Sequence, residues 1–177
     1  MTGTKTRGLL AFIVLACALA GCGGGQDKPA DNPGAAVQEP SDEPAATINK
    51  REAIIYLTDA ELLETVEHPV ELSYSTDEEL VKAAVAELQK DAGENALSLW
   101  KPIEIKSVKL DSGQVDLDVH VPDEARLGAP GELLVIETLQ KTLFQFDFVQ
   151  SIELLVDGEA VESLMGHVDL EHPFKKE

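Results

Sequence analysis

The hydrophobic positions of this chain change period several times, and each change marks an element. Ala53-Ile54-Ile55-Tyr56-Leu57 is a short apolar run of the kind a buried strand shows. Thr58 to Thr65 is acidic and reads as a turn region. Within Val66 to Tyr74, Val70, Leu72 and Tyr74 alternate with Glu71 and Ser73, which predicts a second strand. The period then lengthens. Leu80, Ala84 and Leu88, joined by Val81 and Val85, recur at helical spacing and predict a helix from Thr76 to about Lys90. Thr76 and Glu79 have capping-box spacing at its start, and Gly93 is the expected stop.

Alternation returns further on. Val115, Leu117, Val119 and Val121 alternate with Asp116, Asp118 and His120, so Ile103–Leu110 and Gln114–Val121 read as a hairpin with one buried and one wet face. Asp111-Ser112-Gly113 is the expected three-residue connection, with Gly113 in the left-handed conformation of a bulged turn. Pro122 to Gly131 is a loop. A second helix opens at Pro130 or Gly131 and runs to about Phe144. Its inner side is marked by Leu133, Ile136, Leu139, Gln140 and Leu143, and Glu132 in the first turn suits the helix dipole. Ser151–Val156 is another strand, Asp157-Gly158 a two-residue hairpin turn, and Glu159-Ala160-Val161 is expected to pair back. The order ββ-α-ββ-α-ββ predicts the α+β class, with one mixed sheet and both helices packed on one face.

Upstream of these elements the chain has a different character. Lys5 and Arg7 precede an apolar run, Leu9 to Ala20, of about 12 residues, too short for a bilayer core that needs roughly 20. Leu19-Ala20-Gly21-Cys22 follows the run in the form of a bacterial lipoprotein processing site. Residues 1–21 are therefore expected to be a signal peptide and Cys22 the lipidated N-terminus of the mature chain. A diacylglyceryl cysteine carries two acyl chains, enough for stable anchoring. Residues 23–50 hold most of the glycine and proline and almost no large apolar residue, which predicts a flexible acidic tether reaching roughly 30 Å. The folded domain is then residues 51–177.

Composition narrows the chemistry. The chain has 177 residues, two cysteines and a net charge of −19, and loss of Lys5 and Arg7 makes the mature form more acidic still. Cys17 goes with the signal peptide and Cys22 is lipidated, so the domain must stand on its core without a disulfide. The charge excludes nucleic acid as a partner. No G-x-S-x-G run occurs, and His68, His120, His167 and His172 have no zinc-site spacing. His167-Val168-Asp169-Leu170-Glu171-His172 is a possible divalent-ion cluster or simply a structural tail. Asp116, Asp118 and Glu104 or Lys106 share the wet face of the hairpin, as paired carboxylates or as a solvated surface. Trp100 is either a plug at the core edge or a partner anchor. At least one of Phe144, Phe146 and Phe148 belongs in the core. No catalytic residue, metal ligand or cofactor site is assigned.

Ile152 to Leu170, read as IELLVDGEAVESLMGHVDL, resembles the C-terminal signature of the GerMN domain. Pro130-Gly131-Glu132-Leu133-Leu134 is similar to the family's GELL helix. Ile55-Tyr56-Leu57 is similar to its early strand, and Val108 to Asp118 to its central hairpin. The resemblance covers about residues 51–174. The chain departs from the family at Thr58–Val66, and it carries one copy of the domain where the namesake sporulation lipoprotein is a tandem pair. The resemblance implies a single-domain, GerM-like sporulation and spore-germination lipoprotein with a core like the ring-building motif. It implies a non-enzymatic scaffold or assembly factor on the extracytoplasmic face of the cell membrane. Its expected partners are the membrane, through a palmitate-type lipid on Cys22, and envelope proteins, with self-association among the options. A small-ligand or divalent-cation-binding lipoprotein is the alternative, and a wall hydrolase is a third and weaker reading.

Overall fold

The computed structural model describes residues 47–177. The expected signal peptide, Cys22 and the expected tether up to residue 46 lie outside the described residues. The chain enters the fold through β1, Asn49–Thr58, which pairs antiparallel with β2, Thr65–Tyr74. Asn49 and Lys50, expected at the end of the tether, are the first residues of β1. Helix α1 is Asp77–Leu88. Strands β3, Glu104–Asp111, and β4, Gln114–His120, form the central hairpin. A short 3₁₀ turn at Asp123–Ala125 leads to α2, Ala129–Phe144. Then come β5, Ser151–Val156, and the two-residue β6, Phe174–Lys175.

This is an α+β fold, but its strands form two sheets and not the single sheet expected. β1 and β2 make a two-stranded ribbon, and β3-β4-β5-β6 make a mixed four-stranded sheet in which β4 and β5 run parallel. The reason is what α2 does to β1. Gln145, just past α2, accepts from Ile54 N at 2.8 Å and donates to Ile54 O at 2.7 Å, while Thr142 Oγ1 accepts from Tyr56 N at 3.0 Å. These side chains occupy the edge along which β1 would have joined the larger sheet.

The same bonds fix the polarity of the ribbon. Ile54 and Tyr56 turn their backbone groups away from β2, so Ile54 and its partner Pro69 form a non-hydrogen-bonded pair. Pro69, which lacks an N–H, therefore costs the ribbon nothing and interrupts its outer edge. The edge of β3 is closed differently. A bulge lies between Ile105 and Ser107, and Glu78 of α1 accepts from Leu110 N at 3.2 Å.

Ala53, Ile55 and Leu57 of β1, Leu80, Val81, Val85 and Leu88 of α1, Val115, Leu117 and Val119 of β4, and Ile152 and Leu154 of β5 share one buried core. Trp100 belongs to it. Only 1% of its surface is exposed, and its indole N–H donates to Val135 O at 3.0 Å and Thr138 Oγ1 at 3.2 Å, which excludes the partner-anchor reading. Phe146 is also buried, stacked on Phe148 with Arg51 over its ring.

Several local expectations are corrected. Thr76 caps α1 by accepting from Glu79 N, but the Glu79 carboxylate reaches past it to Ser75 N at 2.8 Å. The helix ends at Leu88, and Gln89 turns the chain by donating to Ile103 O and Trp100 O, so Gly93 is not its stop. Asp111 pairs with Gln114, which makes Ser112-Gly113 a two-residue turn with φ of 51° and 87°; the bulge sits in β3. Leu133 is not on the inner side of α2 but 53% exposed. Asp157-Gly158 does form its tight turn, but the return strand Glu159–Val161 is reduced to one bridge between Val156 and Glu159. The place beside β5 is taken by β6.

Candidate functional site

Three constellations of polar side chains stand out, and all three converge on the segment after β5. The first is built around Glu132. Helix α2 starts at Ala129 with Pro130 preset for the first turn, and a Cβ on Gly131 would lie 2.8 Å from Leu127 Cβ, so only glycine lets Leu127 pack there. The next residue, Glu132, is fully buried. Its Oε1 accepts from Ser163 Oγ and Met165 N, both at 2.8 Å, and its Oε2 from His167 N at 2.9 Å and faces His167 Nδ1 at 3.2 Å. Burial pushes its carboxyl up, but the bonds from Met165, Ser163 and His167 outweigh this and hold it below the ordinary glutamate value. Ser163 also accepts from Gly166 N at 2.6 Å, where Gly166 takes φ of 103°. The result is a closed loop, Ser163 to Asp169, fastened to the start of α2 by a buried carboxylate, with Leu164 and Met165 driven into the core.

The second constellation covers the wet face of the four-stranded sheet. Lys106 Nζ lies 3.0 Å from Asp157 Oδ1 and 3.9 Å from Asp118 Oδ2, and His120 Nδ1 lies 2.9 Å from Asp157 Oδ2. Asp118 accepts from Gly158 N at 2.8 Å. The hydrogen bond to Asp157 raises His120 and Lys106 above their ordinary values, and His120 followed by Lys106 lowers Asp157. Asp116 instead accepts from Gln114 Nε2 at 2.7 Å. His120 and Asp157 have the spacing of an acid–base pair. Among the described residues, however, no serine or threonine hydroxyl bonds to His120, and Lys106 shares its carboxylate. The cluster pins the Asp157-Gly158 turn to β4, where Asp157 N also donates to Val119 O at 2.9 Å.

The third is His172. Its Nδ1 lies 2.5 Å from Glu153 Oε1 and its Nε2 lies 2.7 Å from Val161 O. The two histidines of the His167–His172 run, read as an ion cluster or a structural tail, are turned to different carboxylates, His167 to Glu132 and His172 to Glu153. Among the described residues no group of three or more His, Cys, Asp or Glu side chains is gathered in a form that could hold a metal. His68 lies on β2, partly buried.

Glu132 departs furthest from its expected part: beyond suiting the helix dipole, it holds the C-terminal loop. The signal was present as two separate pieces: a glutamate after Pro130-Gly131, and Ser163, Gly166 and His167 some thirty positions later. Only the fold brings them together. Among the described residues three large apolar side chains are turned outward, one of them Ile48 just before β1. Leu63, in the turn between β1 and β2, is 79% exposed, and Leu133 joins Phe144 and Val168 in a shallow groove beside α2. The turn that presents Leu63 is ordered by Asp59, whose Oδ1 accepts from Leu63 N at 2.7 Å and Glu64 N at 3.1 Å.

An α+β domain whose second helix locks a C-terminal loop through a buried glutamate is the class defined by this geometry. The chain belongs to the Germane family, described as sporulation and spore germination, whose profile matches residues 54–162. The match includes Glu132 and ends just before Ser163, and the chain is a GerMN-like member of the family. Two solved structures share the fold. The first GerMN domain of the sporulation protein GerM from Bacillus subtilis is 14% identical, covering 71% of this chain and 98% of that one with a TM-score of 0.53. A candidate lipoprotein from Clostridium perfringens is 23% identical, covering 73% of this chain and 88% of that one with a TM-score of 0.50. No curated protein matches the chain in sequence.

Proposed function

We propose that this is a lipid-anchored envelope protein, held on the extracytoplasmic face of the cell membrane through Cys22, whose domain acts as a non-enzymatic scaffold or assembly factor in sporulation, germination or another envelope process. The observation that carries this reading is the use made of the ionisable side chains. Glu132, Asp157, His120, His167 and His172 are bonded to one another and to backbone groups, where they hold turns and loops in place. On an otherwise largely charged surface, three large apolar side chains are turned to solvent among the described residues: Ile48 before β1, Leu63 on its ordered turn and Leu133 beside α2. The outer edge of β1 is occupied by side chains, that of β2 is interrupted by Pro69, that of β3 is bulged, and β6 pairs with the start of β5, so helix faces and the Leu63 turn are the surfaces best placed for protein partners. The anchor rests on Leu19-Ala20-Gly21-Cys22, and the tie to sporulation and germination on family membership. Among the described residues no helix is long and apolar enough to cross a membrane. Small-ligand or cation binding by His167 and His172 is the weaker reading, because both already have carboxylate partners.

Two experiments test the proposal. Cys22→Ser should release the protein from membranes, and retention after a high-salt wash would refute the anchor. A photo-crosslinking residue at position 63 or 133, placed in the native host, should capture the same protein neighbours repeatedly. A control position such as Glu94 should not. Equal capture from all three positions would refute a scaffold surface.

A further inference from the structure

We propose that residues 159–172 form a strap across the outer edge of β5, latched by the doubly protonated imidazolium of His172, and that the strap loosens when His172 loses a proton. The edge concerned differs from the others. The outer edge of β1 is sealed by Thr142 and Gln145, that of β2 is interrupted by Pro69, and that of β3 is closed by its bulge and by Glu78. None of these closures requires a group to gain or lose a proton near neutral pH. Beside β5, strand β6 reaches only Ser151 and Ile152, and at the far end Val156 is bridged to Glu159. Between them, around Leu154, no strand among the described residues pairs with the edge, and the neighbouring Glu153 meets His172.

His172 ties the strap to the sheet in a way that specifies its protonation. Its Nδ1 faces a carboxylate oxygen of Glu153 on β5 at 2.5 Å, and its Nε2 faces the carbonyl oxygen of Val161 within the strap at 2.7 Å. Neither partner can donate while Glu153 is ionised, so both ring nitrogens must. A neutral imidazole has one N–H and would set a lone pair against one of the two oxygens. Glu162 and Asp169 line the same recess and Glu171 is adjacent in the chain. All three are acidic and favour the imidazolium, and among the described residues no cation lines the recess. Bonding to the Val161 carbonyl, and then to Glu153, raises His172 above the ordinary imidazole value. The sign follows. The latch is complete below the ordinary value, about 6.5, and is lost as pH rises through the raised value in the folded protein. The loop around Gly166 is held separately by Glu132, so opening is confined to the strap's two arms and to β6.

The test is amide hydrogen exchange of the full chain in detergent at pH 6 and pH 9, with rates corrected for the intrinsic pH dependence. The expected result is a loss of protection of about tenfold or more at pH 9 in segments 159–162, 170–172 and 174–175, with no change in the β3–β4 hairpin. His172→Gln should remove the pH dependence, because its amide does not titrate; His120→Gln and His167→Gln should keep it. Glu153→Gln should move the transition to lower pH, which provides a second reading if His172→Gln folds poorly. Equal protection at both pH values in the unmodified chain would overturn the proposal, as would pH dependence surviving in His172→Gln or an unmoved transition in Glu153→Gln.

Discussion

Ser112-Gly113 and Asp157-Gly158 are nearly the same turn. Their φ values are 51° and 87° in the first, 54° and 84° in the second, and both join residues that face each other across the turn. One opens into a full hairpin, from Asp111–Gln114 to Glu104–His120. The other closes a single bridge and stops. The turns supply the same local twist, so the flanks make the difference. After Gly113 come Val115, Leu117 and Val119, each fully buried. After Gly158 come Glu159, Ala160 and Glu162, all exposed, with Val161 the one apolar contact to the core, too little to hold a ladder. A tight turn reverses the chain, whereas apolar alternation is what extends the pairing. Where alternation is missing, Glu132 and His172 take over by binding backbone groups directly.

Four outcomes would break or sharpen this comparison. The largest effect is expected at the productive turn. Gly113→Ala forces a left-handed φ on a Cβ that lies 3.0 Å from Phe148 O, and should destabilise the domain by roughly 2–4 kcal/mol. A shift in the urea midpoint at constant slope would measure it. Next is Glu132→Gln, which leaves the loop's donors facing a neutral and partly mismatched amide; a loss of about 2 kcal/mol is expected. The same residue sets an acid limit. Its contribution is present above the ordinary glutamate range, about 4.3, and fades as pH falls through the lower value it has when folded. The Gln variant should therefore show a flatter acid dependence of stability than the parent. Gly158→Ala meets nothing within 4 Å and incurs only the backbone strain, about 1 kcal/mol. A cost equal to that at Gly113 would mean that the two turns are alike in weight and the comparison is wrong. The smallest effect belongs to Asp157→Asn. Its partners are largely solvent-exposed, so stability should hardly move, while the ring proton shifts of His120 should titrate at lower pH than in the parent.

Much of the fold was legible because its elements state their period locally. The α1 stripe from Leu80 to Leu88, the β4 alternation and the Thr76 cap are each contained within a dozen residues, and each is found near its expected place. What was not legible depends on pairs far apart. No local pattern says that Thr142 and Gln145 occupy the edge of β1, yet this divides the expected single sheet into two. Leu133 was placed inward because an apolar residue at helical spacing usually faces a core. The buried side of α2 is instead broad and partly polar, with Glu132, Thr138 and Thr142 in it. The candidate site was the least legible part. Glu132 and His167 look like ordinary surface residues until the chain brings Ser163, Met165 and His167 around the carboxylate.

The double closure of β1 has a mechanical consequence. Any tension reaching the domain from its N-terminal side enters at Asn49 and runs along a strand gripped on both flanks: the β2 ladder on one, Thr142 and Gln145 on the other. A tug along the axis of β1 loads these bonds together, as a sheared joint, and not in succession, as a peeled one.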